Sequence, residues 1–280
     1  MRHRLLSLVA LLASASLPTA ATLAAQQDSA KSQTWRVEGL RKAFCIEMLL
    51  APTSHALEDL PTGYRAIPAS EAAGLHVALR SVVESQPEYA AWSPSSLCFL
   101  TADTVHTSEY TVGDRRRRHQ LLFATWTVQA SGGSGSVGDV ALDVFSNNDR
   151  LIRSARLADH ILHDATLQVG LVPAEDDEGV PSTDQRFLVK LGKSTIIWDG
   201  RPARDSSAVR TQPQRAWAAA GARRGIVTGQ VALAATHERP MVGALKVEGK
   251  GDLAKALKAS PTRFAGHAYE GGRASISFAR

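Results

Sequence analysis

The chain has 280 residues, of which 44% are hydrophobic and 21% are charged. That composition is ordinary for a globular protein and excludes disorder for most of its length. The 32 Lys and Arg residues outnumber the 27 Asp and Glu residues, but no nucleic-acid-binding module and no interleaving with stacking aromatics accompanies the excess. We therefore expect no nucleic-acid partner. No stretch stays apolar for long enough to cross a bilayer as a helix, so we also expect no membrane span.

The N-terminus follows the three-part plan of a secretory signal peptide over residues 1–25. Its apolar run, residues 5–17, comes after two arginines and before a stretch of small residues, and it is too short to span a bilayer. We expect cleavage after Ala24 or Ala25, which would leave residues 26–34 as a flexible mature N-terminus. The sequence thus predicts a soluble exported protein, either periplasmic or extracellular.

Apolar and polar residues alternate with a period of two in the middle and at the end of the chain, which predicts strands with one buried face. The apolar positions are Leu122, Ala124, Trp126, Val128, Val140, Leu142, Val144, Val227, Gly229, Val231, Leu233, Gly243, Leu245, Val247, Ala274, Ile276 and Phe278. The dipeptide Gly192-Lys193 predicts a hairpin with a type II′ turn that pairs residues 186–191 with residues 194–198. The Gly- and Ser-rich residues 131–138 predict the loop of a second hairpin.

Three segments have helical spacing, and they start near Leu75, at Asn148 or Asp149, and at Asp252. Many strands with two or three helices predict an α+β, mainly antiparallel β fold. We expect a strongly curved sheet or barrel-like core with the helices packed on it. Residues 35–280 are expected to form a single globular domain.

The only two cysteines, Cys45 and Cys98, each lie within an apolar segment. In an oxidising compartment an even pair predicts a disulfide bond. The alternative is two buried thiols that pack as small hydrophobic groups.

No motif identifies a family, a cofactor or a metal. The run Gly192-Lys193-Ser194 lacks the earlier glycine of a phosphate-binding loop, because Phe187 stands in its place. Residues 132–136 lack the closing glycine of a nucleophile elbow. His160 and His163 would share a face of a helix, but the segment also fits a strand, where they would point to opposite faces. We therefore expect surface or strand-edge histidines, no metal site and no cofactor.

Two loops beside predicted strands carry more aromatic and charged groups than a turn requires. Five of these residues are candidates for a ligand site: Trp198, Arg201, Arg263, His267 and Tyr269. Aromatic rings with two guanidinium groups would offer stacking and paired hydrogen bonds to an anionic head group. Each residue also has a structural explanation, since Trp198 and Phe264 fit core positions and Asp199-Gly200 fits a tight turn. The leading hypothesis is a noncatalytic exported protein that binds a small apolar or amphiphilic ligand.

Two other functions stay open. An exported enzyme could use the carboxylates of Asp199 and Asp205 as acid and base, with His267 or His163 as their partner. Catalysis would require these groups to meet in one cleft. An envelope-associated structural protein could instead bind an anionic envelope surface through the arginine run at 115–118. That run equally fits a charged hairpin that discourages strand pairing.

Overall fold

The computed structural model of the chain describes residues 33–73, 77–106, 111–112, 121–133, 135–171, 185–202, 207–210, 212–223, 225–261, 264–265 and 267–279. The signal-peptide segment and the arginine run at 115–118 lie outside these residues. Export and a role for the arginine run therefore stay predictions.

Strands dominate the described residues. They are β1 (Gln33–Leu50), β2 (Arg65–Ala66), β3 (Ser93–His106), β4 (Thr111–Val112), β5 (Leu121–Ser131), β6 (Val137–Ser146), β7 (His163–Leu171), β8 (Gln185–Leu191), β9 (Ser194–Pro202), β10 (Ser207–Ala208), β11 (Gln214–Ala220), β12 (Ile226–Ala234), β13 (His237–Gly249), β14 (Phe264–Ala265), β15 (His267–Glu270) and β16 (Arg273–Ala279). The α-helices are α1 (Ala69–Ala72), α2 (Val77–Ser85), α3 (Asp149–Leu157) and α4 (Asp252–Ala259).

Backbone hydrogen bonds join the described strands into two closed rings that share β1, β3, β5 and β6. Ring A runs from β6 through β11, β12 and β16 back to β1. Ring B runs from β6 through β7, β8, β9, β13 and β15 back to β1. The pairs β6–β11 and β6–β7 are parallel, and the other pairs in both rings are antiparallel. The predicted fold class is confirmed, with a strongly curved, barrel-like sheet.

Each ring encloses its own apolar core, and the shared strands supply both. Along β5, Leu121 and Phe123 belong to the core of ring A, whereas Leu122 and Trp126 belong to the core of ring B. Both faces of this strand are therefore buried, and the prediction of one buried face is wrong for it. The reason is that β5 lies between two interiors, as the central strands of fully covered sheets do.

One helix covers an end of each ring. Leu151 and Ala155 of α3 pack into the core of ring A, where Trp35 of β1 donates from Nε1 to Ser154 Oγ at 3.2 Å. Leu253 and Leu257 of α4 pack into the core of ring B. The start of β1 thus lies beside α3. Helices α2, α3 and α4 are the three that the sequence predicts.

The local predictions hold with small shifts. Residues 191 and 194 pair across the turn between β8 and β9, and Gly192 has the positive φ, 55°, that a type II′ turn requires at this position. The hairpin of β5 and β6 closes at Ser131 and Val137, so its loop is shorter than predicted. Asn148 caps α3 by accepting hydrogen bonds from two backbone N–H groups. The single-turn helix α1 was not predicted.

The predicted disulfide is confirmed. Cys45 on β1 and Cys98 on β3 are directly paired residues, with Cα atoms 4.0 Å apart and a bond between their sulfurs. Within the described part of the chain, no helix has the length and hydrophobicity needed to cross a bilayer.

Candidate functional site

Two charged clusters lie on opposite faces of β1. Lys42 and Phe44 share the face that looks into ring B, because Phe44 belongs to that core. Ala43 belongs to the core of ring A, and Glu47 shares its face by the same alternation. We call Lys42, Arg239 and Glu270 the ring B cluster, and Glu47, Ser96, Asp139 and Arg215 the ring A cluster.

The ring B cluster is built by three adjacent strands. Ala43 pairs with Tyr269 of β15, which brings Lys42 opposite Glu270. Arg239 of β13 pairs with Ala268 of β15, a core residue of ring B. The Arg239 guanidinium lies 3.9 Å from the Glu270 carboxylate, and about a third of each side chain is exposed. Two cations thus face one carboxylate at the end of ring B away from α4.

Lys42 is the most buried member of the ring B cluster, with only 9% of its surface exposed. Burial lowers the pKa of its ammonium, Glu270 counteracts that shift, and Arg239 lowers the pKa further. Among the described residues, none forms a hydrogen bond or ion pair with this ammonium. The Nε–H of Arg239 is buried and has no hydrogen-bond partner. One buried donor of this cluster, Arg239 Nε, is therefore unsatisfied.

The ring A cluster surrounds one guanidinium. Arg215 of β11 donates to Ser96 Oγ at 2.6 Å and to Glu47 Oε1 at 3.3 Å, and it lies 3.8 Å from Asp139 Oδ2. Ser96 also contacts the Thr127 hydroxyl at 3.1 Å. Here one cation contacts two carboxylates, whereas two cations face one carboxylate in the ring B cluster.

The ring A cluster lies on a concave wall that solvent can reach. Burial raises the pKa of the Glu47 carboxyl despite the opposing charge of Arg215, and Asp139 raises it further. Nevertheless 36% of the Glu47 side chain and 37% of the Arg215 side chain are exposed. Glu47 is thus largely surrounded by protein and still in contact with solvent. Tyr269 lies nearby, and burial together with Glu238 raises the pKa of its hydroxyl.

Trp217 lies two residues from Arg215 and therefore on the same inner face of β11. It is 3% exposed and belongs to the core of ring A. Its ring crosses Gly229 of β12, where any Cβ would collide with the indole. The Nε1–H donor of Trp217 is buried and has no hydrogen-bond partner. A large apolar residue thus brings an unsatisfied donor into the core of ring A.

The two histidines that were considered as metal ligands have different surroundings. His160 is buried and its Nε2 lies 3.1 Å from the Thr228 carbonyl oxygen, so the expectation of a surface or strand-edge residue is wrong for it. Burial lowers the pKa of His160. The His163 Nε2 lies 3.1 Å from Asp143 Oδ1, and this contact raises the pKa of His163. In the described ranges no three or more His, Cys, Asp and Glu side chains gather in a way that could hold a metal ion.

The five predicted ligand residues are only partly described. Trp198 is buried in ring B, 5.3 Å from the Phe44 ring, and Gly200 and Gly243 leave room for its indole. Arg201 is exposed on the opposite face of β9, and Tyr269 is half-buried. Arg263 and the side chain of His267 lie outside the described residues, so a site formed by all five stays a prediction.

The four residues of the enzyme hypothesis are also only partly described. Asp199 is half-buried on β9, and His163 is bonded to Asp143 as stated above, but Asp205 and the His267 side chain are not described. Convergence of these four groups stays a prediction.

The clusters at Lys42 and Glu47 were not expected from the sequence. Both residues lie in one apolar-rich stretch, residues 40–50, that reads as an ordinary buried strand. The available signal was a lysine and a glutamate in this stretch that are an odd number of residues apart. On a strand, such residues lie on opposite faces. Arg239 is 197 residues from Lys42 in sequence, and Arg215 is 168 residues from Glu47, and no local pattern reveals contacts at such separations.

No family model matches the chain, and no curated protein matches it. Among solved structures, the enduracididine biosynthesis enzyme MppR complexed with pyruvate superposes with a TM-score of 0.52 at 9% identity, over 90% of this chain and 91% of that one. Acetoacetate decarboxylase gives 0.47 at 10% identity, over 87% and 86% of the two chains. An acetoacetate decarboxylase-like enzyme from Sphingomonas wittichii RW1 gives 0.45 at 12% identity, over 89% and 90%. The first similarity shows a shared fold over nearly the whole length of both chains.

Proposed function

We propose that the chain binds a small carboxylate ligand at the ring B cluster, through Lys42 and Arg239. The observation that carries this proposal is the Arg239 Nε–H, which is buried without a hydrogen-bond partner beside the nearly buried Lys42. A buried donor without an acceptor is costly, and natural folds keep such groups mainly where they serve a ligand or a reaction. A ligand carboxylate would supply the missing acceptor.

The charge of the ring B cluster favours a ligand with one negative charge. Lys42 and Arg239 contribute two positive charges and Glu270 contributes one negative charge. A monoanion therefore neutralises the cluster, whereas a dianion would leave a buried negative charge. Guanidinium and ammonium groups both form charge-assisted hydrogen bonds to carboxylates.

The remaining properties of the ligand follow from the surroundings of the cluster. The face of β1 that carries Lys42 continues into the apolar core with Phe44, which favours an amphiphilic ligand with an apolar body beside its carboxylate. The neighbour of the same fold is described as complexed with pyruvate, a small monocarboxylate. That description supports the proposed ligand class.

We further propose that the protein is exported and that its binding is noncatalytic, as the sequence predicts. Export is supported by the N-terminal pattern alone. The mature protein recovered from outside the cytoplasm should begin at Ala25 or Gln26, and N-terminal analysis would measure this. Soluble cytoplasmic protein that retains Met1 would contradict export.

Calorimetric titration with pyruvate and with octanoate tests the binding proposal at neutral pH. K42M should weaken the binding of both carboxylates by about tenfold or more, since it removes a charge-assisted hydrogen bond. E270Q should strengthen binding, because it removes the carboxylate that competes for Arg239. The neutral analogue pyruvamide should bind wild type no better than K42M.

A matched control is K255M, since Lys255 is an exposed lysine on α4 whose ion pair is with Asp252. It should bind both carboxylates as wild type does. Unchanged affinity in K42M, or weaker affinity in E270Q, would contradict the proposal.

A second candidate function is catalysis through a covalent imine, and the lowered pKa of Lys42 favours it. A neutral lysine amine can attack the carbonyl carbon of a keto acid and lose water to form an imine. Incubation with pyruvate and cyanoborohydride would reduce that imine to a stable secondary amine. Mass spectrometry of the digested protein should find the adduct on Lys42 if this function holds. Tight reversible binding without any adduct would support the noncatalytic proposal.

A further inference from the structure

We infer that the end of ring A covered by α3 is a docking surface for an anionic lipid membrane. We call it the α3 end. It is formed by six exposed residues, Arg153, Arg156, Leu157, Ile161, Arg223 and Ile226. The inference goes beyond the proposed ligand binding and uses no residue of the ring B cluster. The arginine run at 115–118 is not part of this surface.

Exposed large apolar side chains are concentrated at the α3 end. Leu157 is 81% exposed, and Ile161 and Ile226 are each 47% exposed. In the described part of the chain, the other exposed large apolar residues are Val137 on β6 and Val242 on β13. A single exposed leucine is common in soluble proteins, but three large apolar residues at one end of a domain indicate a surface that contacts an apolar partner.

A backbone contact holds the segments that carry these apolar residues together. Asp159 lies in the turn between Leu157 and Ile161, and its carbonyl oxygen accepts a hydrogen bond from the Ala222 N–H at 2.9 Å. The loop that contains Ala222 ends where Ile226 begins β12. Asp159 has a positive φ of 66°, which lets the chain turn sharply at the end of α3. The end of the helix and the hairpin loop therefore form one surface.

Arginines flank the apolar residues on both sides. Arg153 and Arg156 are exposed on α3, a helix whose nine residues include three arginines and one aspartate. Among the described residues, neither of these two arginines forms an ion pair with a carboxylate. On the hairpin side, 74% of the Arg223 side chain is exposed, although its Nε lies 3.7 Å from Asp159 Oδ1. The α3 end thus combines apolar side chains with positive charge.

This combination favours a lipid surface over a second copy of the chain. Two copies joined through their α3 ends would bring arginines close to arginines, and like charges across an interface are unfavourable. The headgroup region of an anionic membrane offers phosphate oxygens to guanidinium groups, with an apolar layer directly beneath. The three apolar side chains would enter that layer while the three arginines stay among the headgroups.

Sedimentation with lipid vesicles tests the inference. Wild type should bind vesicles that contain phosphatidylglycerol and phosphatidylcholine, and added salt should weaken this binding because it screens the arginines. Binding to vesicles of phosphatidylcholine alone should be weaker by about tenfold or more. All proteins are compared in the same N-terminal form, so that residues 1–25 contribute equally to every measurement.

Two variants separate the apolar from the charged contribution. L157Q should weaken binding to the anionic vesicles by about tenfold, since it removes the most exposed apolar side chain of the surface. The double variant R153Q/R156Q should weaken it by about tenfold or more and should abolish its dependence on salt over most of the range. All three side chains are exposed, so both variants should keep the wild-type Tm and the wild-type affinity for pyruvate.

The matched controls are V242S and K255M, because Val242 is an exposed apolar residue of β13 and Lys255 is an exposed lysine of α4. Both should bind the anionic vesicles as wild type does. The inference is overturned if wild type does not bind these vesicles, or if L157Q or R153Q/R156Q binds them as wild type does. Sedimentation without lipid covers the other occupant: a dimer that L157Q dissociates would assign the surface to a second copy of the chain and overturn the inference.

Discussion

The two rings resemble each other in construction and differ in the charge at their polar ends. Each has an apolar core with a helix packed into it, and they share four strands. The ring B cluster has two cations and one carboxylate, whereas the ring A cluster has one cation and two carboxylates. Strand β1 supplies Lys42 to one and Glu47 to the other, from opposite faces. A pleated strand between two interiors can thus carry groups of opposite charge on its two faces.

The rings also differ in how β1 is held. In ring A, the disulfide of Cys45 and Cys98 joins β1 to β3, close to Ser96 of the charged cluster. In ring B, Lys42 brings an unpaired charge to the same strand. We therefore expect the disulfide to stabilise the fold and the charge of Lys42 to destabilise it.

The largest expected effect is that of reducing the disulfide. A loop closed over a sequence separation of 53 residues contributes up to roughly 4 kcal/mol to the free energy of unfolding in the chain-entropy model. For a chain of this size that corresponds to a fall in Tm of about 10 °C. Calorimetry with and without reductant measures it, with thiol titration to verify reduction. An unchanged Tm in fully reduced protein would show that the bond contributes nothing.

Loss of the Lys42 charge should act in the opposite direction. K42M should raise the free energy of unfolding at pH 7 by roughly 1–3 kcal/mol, because it removes a charge that burial disfavours and retains an apolar side chain. The folded state lowers the pKa of Lys42, so the wild type regains stability as the pH rises from the lowered value to the unfolded value. The advantage of K42M should shrink over that alkaline range. Denaturant unfolding at several pH values measures this, and a destabilised K42M would contradict an unpaired Lys42.

A smaller effect is expected at Glu47. Its pKa is raised in the folded state, so its ionisation costs stability as the pH rises through the range between the unfolded and folded values, and the cost is fully present above it. E47Q should therefore gain on wild type by about 1 kcal/mol or less between acid and neutral pH, since a third of the side chain is exposed. Thermal unfolding across that range would reveal the difference. A wild type that gains on E47Q with rising pH would contradict the sign.

Local patterns predicted the fold well because they report local geometry. The alternation along β12, the turn at Gly192 and the cap at Asn148 depend on neighbours within a few residues. They could not show that the sheet closes twice. That closure depends on the pairing of β6 with β11 and β7 and of β15 with β1, which are contacts between distant segments.

The candidate site was harder to predict for the same reason. The sequence drew attention to Trp198 because an aromatic residue follows a hairpin, yet its indole fills the core space that Gly200 and Gly243 leave. Lys42 and Glu47 were not predicted as site residues. A charged residue within an apolar strand can be assigned to a site only when its partner from another strand is known.

The most direct test of the carboxylate site in ring B is a titration of wild type, K42M and K255M. Each protein would be titrated calorimetrically with pyruvate and with the neutral analogue pyruvamide. K42M should lose pyruvate binding, K255M should keep it, and pyruvamide should bind wild type no better than pyruvate binds K42M. If K42M binds pyruvate as wild type does, ring B holds no carboxylate site at Lys42.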